Sequence, residues 1–182
     1  MKKTAMLFAE GFEEVEALTV VDLLRRVGIV CDMISMGDGL GLRGSHDIRI
    51  LADRLWEDAD FADYDGLILP GGGKGTKRLS EDARVAELLR RFYAAGKLTA
   101  AICAAPTVLG AAGLLEGKRA VCYPGMEEGL CGALVGLEPV AVDGSVITSR
   151  GLGTAIPFAL ALVEYLDSRE RAEELARRIV YR

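Results

Sequence analysis

Cys103 lies in the run Ala100-Ala101-Ile102-Cys103-Ala104-Ala105-Pro106, a setting that suits a thiol to nucleophilic chemistry. The run reads as an apolar strand that stops at the cysteine and a helix that starts at Pro106. A nucleophile on a tight strand-to-helix turn needs small neighbours, because the backbone is crowded there; four alanines surround this one. Proline fits a first helical turn, where its missing N–H has no partner to lose. The helix N-terminus would aim backbone N–H groups at the sulfur and favour the thiolate. For an isolated cysteine the competing reading is a buried structural thiol; the turn context favours the reactive one.

A second candidate is a carboxyl on the wrong face of a helix. Wound at ~100° per residue, the segment Glu13 to Val27 gathers Ala17, Val20, Leu23, Leu24 and Val27 on one side. Glu13 and Glu16 fall inside that apolar stripe, while Glu14, Asp22, Arg25 and Arg26 lie opposite. Glu13 occupies the first turn, where acid complements the helix dipole. Glu16 shares its stripe with Val20, Leu23 and Val27. A carboxyl so placed is desolvated and its pKa rises, the tuning that proton transfer near neutral pH requires. The alternative is a glutamate that snorkels to the solvent edge. Val15 and Leu18 sit on the polar side; that face either meets another protein or carries scattered surface apolars.

Gly71-Gly72-Gly73 invites comparison with a phosphate cradle, but no G-K-[ST] follows at the needed spacing and no G-x-G-x-x-G opens a helix. An oxyanion pocket built from the Gly72 and Ala104 amides fits better; a plain turn is the other reading. A cysteine hydrolase pairs its thiol with a histidine. Here Ala104 follows the cysteine, and the single histidine, His46, is distant in sequence. One histidine and no C-x-x-C pair also argue against a metal site. Cys31 alternates within a strand and belongs to the core. Cys122 ends a strand beside Tyr123 and borders the site. Cys131 lies in a Gly-rich segment, Gly125 to Gly136, expected as a flap. Arg150 opens a turn into a helix, where it binds an anion or holds a structural ion pair.

The elements that must position these residues alternate. Strands are expected over Thr4 to Ala9, Ile29 to Met36, Ile48 to Leu51, Asp65 to Leu69, Leu98 to Ile102 and Arg119 to Tyr123. Helices are expected over Glu13 to Val27, with Gly28 as its stop, and over Asp82 to Ala95, Pro106 to Ala112, Thr154 to Leu166 and Arg169 to Ile179. Asp143-Gly144 marks a hairpin within Val140 to Thr148. Strand-helix alternation with continuously apolar strands predicts an α/β fold, a mostly parallel sheet with helices on both faces. Ligands of such sheets bind beyond the carboxyl ends of the strands. Glu10 to Glu16, Gly71 to Gly73, Cys103 and Arg150-Gly151 all follow strands.

At 182 residues, 51% hydrophobic, the chain is sized for one domain, residues 1–182, with ample core. A net charge of −5 argues against nucleic-acid binding. The apolar stretch after Met1-Lys2-Lys3 stops at Glu10, too early for a secretory signal, and no run approaches the ~20 apolar residues of a membrane span. A cytoplasmic protein with free thiols is expected.

Four stretches resemble the ThiJ/PfpI superfamily, specifically its DJ-one/YajL branch: Glu10-Gly11-Phe12-Glu13-Glu14-Val15-Glu16, Leu69-Pro70-Gly71-Gly72, Ala100 to Pro106, and Thr148-Ser149-Arg150-Gly151-Leu152-Gly153-Thr154. The resemblance implies a flavodoxin-like three-layer sandwich, usually a homodimer. It implies Cys103 as the oxidisable nucleophile, Glu16 as its protonated hydrogen-bond partner, and the Gly72 and Ala104 amides as oxyanion donors. Gly71, Tyr123, Arg150 and Glu13 would line the site. Some relatives place a histidine near the thiol where this chain has Tyr123; the protease-like branch has one directly after the cysteine, where this chain has Ala104. Amide hydrolysis by a Cys-His pair is therefore disfavoured. Branch members are described as glyoxalases and deglycases, redox-responsive chaperones or stress sensors. The leading expectation is cofactor-free chemistry on 2-oxoaldehydes or their early adducts; the rival is a non-enzymatic redox sensor or chaperone.

Overall fold

The computed structural model describes residues 1–181; Arg182, the last residue of the expected domain, lies outside them. Its eleven strands are β1 (Lys3–Phe8), β2 (Val30–Ser35), β3 (Gly41–Arg43), β4 (Arg49–Leu51), β5 (Arg54–Leu55), β6 (Gly66–Leu69), β7 (Leu98–Ile102), β8 (Arg119–Ala120), β9 (Leu134–Val135), β10 (Val140–Asp143) and β11 (Val146–Ser149). Its helices are α1 (Glu14–Arg26), α2 (Gly73–Glu81), α3 (Ala83–Ala94), α4 (Pro106–Ala111), α5 (Ala155–Leu166) and α6 (Arg169–Arg178).

Side chains alternate across the central strands, and both faces are apolar. Met6, Phe8, Ile68, Ala100 and Ile102 point to one side, where α1, α5 and α6 cover them with Val20, Leu24, Phe158, Leu162 and Leu175. Ala5, Leu7, Leu67, Leu69 and Ala101 point to the other and meet Leu79 of α2, Leu88 and Phe92 of α3 and Leu109 of α4. The result is a helix–sheet–helix sandwich. Its sheet has seven strands in the order β10-β11-β7-β6-β1-β2-β5, and only β10 runs antiparallel to its neighbour. The Asp143-Gly144 hairpin forms as expected, with Gly144 at φ 61°. From β1 the chain builds outward to β2 on one side and to β6 and β7 on the other. That reversal is a topological switch point, where such sheets hold their ligands. The carboxyl ends of β11, β7, β6 and β1 stand side by side there, and these strands precede Arg150, Cys103, Gly71 and Glu10.

Several expectations need correction. Gly73–Glu81 is a helix, concealed in the sequence by its glycine-rich start. The strand expected over Arg119 to Tyr123 ends at Ala120. Beyond it, Val121 N donates to Thr148 Oγ1 at 2.9 Å and Tyr123 N to the Cys103 carbonyl at 2.8 Å, so those amides serve β11 and the cysteine turn rather than a ladder. Cys122 therefore ends no strand. The Gly125 to Gly136 segment is no free flap. It forms a 3-10 turn at Glu127–Gly129 and strand β9, which pairs with β8, and it buries Leu130. Gly110 of α4 permits that packing, because a Cβ there would overlap the Gly129 carbonyl.

Candidate functional site

Cys103 takes φ 66°, the left-handed region that costs a non-glycine residue roughly 1–3 kcal/mol. The turn is held from both sides: Cys103 N donates to the Ser149 carbonyl at 2.9 Å, and its carbonyl accepts from Tyr123 N at 2.8 Å. Pro106 opens α4 directly after the turn, as expected.

Glu16 approaches from the other side of the switch point. Glu13 caps α1 by accepting from Glu16 N at 2.7 Å, which fixes the first turn and turns Glu16 inward, to 1% exposure. Gly71 lies between the acid and the thiol. A Cβ there would fall 2.5 Å from Cys103 Cβ, 3.1 Å from Cys103 Sγ and inside contact with Glu16 Oε2. Only glycine lets the two groups meet. Gly72 is left-handed at φ 94° and packs its α-carbon on the Gly11–Glu13 backbone, where a Cβ would lie 2.6 Å from Glu13 N.

Burial pushes the Glu16 carboxyl up to about 7; the Cys103 thiol and the Gly71 and Leu152 amides pull it down, while the Glu13 charge adds to the rise. Glu16 Oε2 is buried with no conventional hydrogen-bond partner among the described residues, and the thiol is the group beside it. Burial likewise pushes the Cys103 thiol up to about 12, and Glu16 adds to this, against the pull of the Ala104 and Gly72 amides. This corrects the expectation that the helix N-terminus would dominate. Helix α4 has six residues, and burial with a facing carboxylate outweighs it. The carboxylate's contribution exists only while Glu16 is ionised. The pair therefore resists carrying two charges and holds a proton between its members near neutral pH.

Around this centre, Tyr123 is exposed, and its ring stands beside Gly151: a Cβ on Gly151 would lie 3.5 Å from Tyr123 Cδ2 and 3.8 Å from Glu16 Oε1. Arg150 forms no ion pair among the described residues; its Nη1 donates to the Leu137 carbonyl at 3.2 Å. Cys31 is core, and burial pushes it up to about 12. Cys122 is buried, its thiol donating to the Tyr123 carbonyl at 3.4 Å, and burial pushes it up to about 11. Cys131 is exposed.

Glu14 was expected on the solvent side of α1 and is instead 2% exposed. The β3–β4 hairpin folds over the first turn of the helix. Glu14 Oε1 accepts from His46 N at 2.6 Å; Oε2 accepts from His46 Nδ1 at 2.9 Å and Ser45 Oγ at 3.1 Å. Burial opposes its charge, but the His46 side chain and backbone and Ser45 outweigh this and hold the carboxyl at about 2. His46 thus pairs with Glu14 and not with Cys103. Sequence reasoning also passed over Ser149 and Leu152. Ser149 closes β11 level with Ile102 in the sheet register, and Leu152 opens the turn that follows; that place at a strand end was the available signal.

A flavodoxin-like sandwich that presents a left-handed cysteine at the carboxyl edge of its sheet, with a buried glutamate from its first helix beside the sulfur, defines a class of thiol-bearing α/β proteins. The chain belongs to the DJ-1/PfpI family, whose model matches residues 2–165. It is 39% identical over 180 residues to protein dj-1beta of Drosophila melanogaster, covering 97% of this chain and 96% of that one. It is similar to a solved structure of oxidized Toxoplasma gondii DJ-1, with a TM-score of 0.94 at 35% identity, covering 99% of this chain and 98% of that one. A protein of Pyrococcus abyssi named a deglycase is 29% identical over 166 residues, 90% of this chain and 99% of that one. Two Arabidopsis thaliana DJ-1 homologues are longer; the match spans 42% and 45% of their length. Among the described residues, no helix is long and apolar enough to cross a membrane.

Proposed function

We propose that the protein is a cysteine-dependent, cofactor-free glyoxalase or deglycase acting on 2-oxoaldehydes or their early adducts on amines and thiols. One observation carries the reading. A buried carboxyl raised to about 7 faces a thiol on a strained elbow, so it exists in both protonation states near neutral pH. The Cys103 sulfur adds to the aldehyde carbon, and the new oxyanion is met by the Gly72 and Ala104 amides and takes up the proton the pair holds. Glu16, as carboxylate, removes the hydrogen on that carbon as a proton and returns it to the neighbouring carbon through an enediol. The first carbon is thereby oxidised to a thioester and the second reduced to an alcohol, so no external redox partner is needed. Water then cleaves the thioester, releasing a 2-hydroxy acid and the free thiol. Gly71 keeps the pair in contact, Glu13 fixes the start of α1, and Tyr123 and Arg150 line the approach. The deglycase name of the Pyrococcus abyssi relative gives loose support.

The test is reduced protein with methylglyoxal, without glutathione, followed by lactate analysis between pH 6 and 8. Lactate is expected; its absence across the range overturns the enzymatic reading. The second reading, a redox-responsive chaperone or oxidative-stress sensor acting through Cys103, draws on the oxidized state of the Toxoplasma gondii relative, and it would stand if peroxide modifies Cys103 while lactate fails to form. For the whole chain, residues 1–182, the reading adds a single cytoplasmic domain. It pairs through α1 about a two-fold axis, with Val15 and Leu18 at the contact, and has no nucleic-acid or membrane partner.

A further inference from the structure

We propose that Glu13, Glu14 and His46 form a binding site for a divalent first-row transition ion such as Zn2+, taken by one imidazole nitrogen and two carboxylate oxygens. The sequence gives no hint of it, because the histidine is 32 residues from Glu14. The fold unites them by laying the turn of the β3–β4 hairpin over the first turn of α1. One ligand atom from each residue then lies within 4.8 Å of the other two, and no other such trio occurs among the described residues.

The dimensions suit a small ion. His46 Nδ1 stands 2.9 Å from Glu14 Oε2 and 3.9 Å from Glu13 Oε1. Zinc–ligand bonds of ~2.0–2.2 Å put neighbouring tetrahedral ligands about 3.4 Å apart. One edge must lengthen and the other shorten, each by about 0.5 Å. The polar accounting independently points to a cation. Glu13 is 8% exposed, and its Oε2 is taken by Glu16 N. Its Oε1 accepts no hydrogen bond and faces the imidazole. Among the described residues, neither carboxylate pairs with a lysine or arginine; His46 is the only basic partner of both.

The remaining requirements of a metal site are present. The His46 side chain is 70% exposed, which leaves the fourth coordination position to water. Ser45 Oγ and His46 N already donate to the Glu14 carboxylate and would hold its orientation, as outer hydrogen bonds do in metal sites. On binding, the ion takes the Nδ1 lone pair, the ring keeps its proton on Nε2, and the Nδ1 proton leaves to solvent.

The test uses tag-free Cys103→Ala protein, so that the thiol cannot serve as a competing ligand, titrated with Zn2+ by calorimetry. In parallel, nitrogen NMR follows the imidazole, which is unambiguous because the chain has one histidine. The expected result is a Zn2+ site that moves the Nδ1 resonance while Nε2 stays protonated, with His46→Ala and Glu13→Gln each weakening that binding by at least ~10-fold. An Nδ1 signal unmoved by saturating Zn2+, or equal affinity in the His46→Ala variant, overturns the proposal. These readouts are independent of turnover at Cys103, so failure of the proposed enzymatic function would leave them intact.

Discussion

Replacing Glu16 with glutamine should make the protein more stable above neutral pH and remove its turnover in the same step. Glu16 is 1% exposed, and burial raises its carboxyl from 4.5 to about 7. Below pH ~4.5 the carboxyl is protonated in both folded and unfolded chains, so it contributes no penalty. Between 4.5 and 7 the unfolded chain releases its proton while the folded chain keeps it, and stability falls as pH rises. Above 7 the folded protein carries a buried charge, and the full difference is felt. At 1.36 kcal/mol per pH unit, the interval from 4.5 to about 7 amounts to roughly 3 kcal/mol. Glutamine has the same shape and no titration. The stability gap between variant and parent should therefore move by about 3 kcal/mol in the variant's favour from pH 4 to pH 8. Other groups, Glu14 among them, titrate in both proteins and cancel from the gap.

Urea unfolding of both proteins at several pH values measures this directly. A gap that stays flat with pH would refute a desolvated carboxyl at this position. Lactate formation from methylglyoxal should fall by ~100-fold or more, the usual contribution of a positioned acid or base. Alkylation of Cys103 should persist at an altered rate, because the carboxylate that opposes the thiolate has been removed. Parental turnover in the glutamine variant would end the acid–base assignment.

Gly71→Ala drives a methyl between Cys103 and Glu16; it should cost about 1–3 kcal/mol as an overpacked site and abolish turnover, and a fully active variant would show that the two groups need not touch. Graded peroxide should carry Cys103 to the sulfinic acid, with a protonated Glu16 donating to a sulfinate oxygen. Peptide mass spectrometry checks this, and a dominant Cys103 disulfide in place of the sulfinic acid would overturn it. Val15, 47% exposed on α1, should become a weak point of self-association when changed to Asp, read as a dimer-to-monomer shift in sedimentation; a parent protein that sediments as a monomer at micromolar concentration refutes the α1 interface.

Much of this molecule could be read from local pattern alone. Continuously apolar strands alternating with helices of 3.6-residue periodicity specify the sandwich. The strand–Cys–Ala-Ala-Pro run specifies the elbow. Glu16 was found because helical periodicity relates residues within a few turns, and its stripe of Val20, Leu23 and Val27 is the face that α1 buries. Asp143-Gly144 marked its hairpin by the same local logic. What failed depended on contacts between residues far apart. The helical wheel placed Glu14 outside, since it cannot register a hairpin 32 residues away closing over it. Helix α2 was hidden because its glycines serve the close backbone approach of Gly72 and Gly75 to the Gly11–Glu13 loop, a demand made from outside the segment. Strand β8 ended early because Thr148 and Cys103 claimed its next amides. The thiol's protonation was misjudged for the same reason: the helix N-terminus is written in the local sequence, whereas the desolvation and the facing carboxyl that outweigh it exist only once four strand ends converge. Periodicity and turn chemistry are properties of neighbours in the chain, but burial and electrostatic environment are properties of neighbours in space.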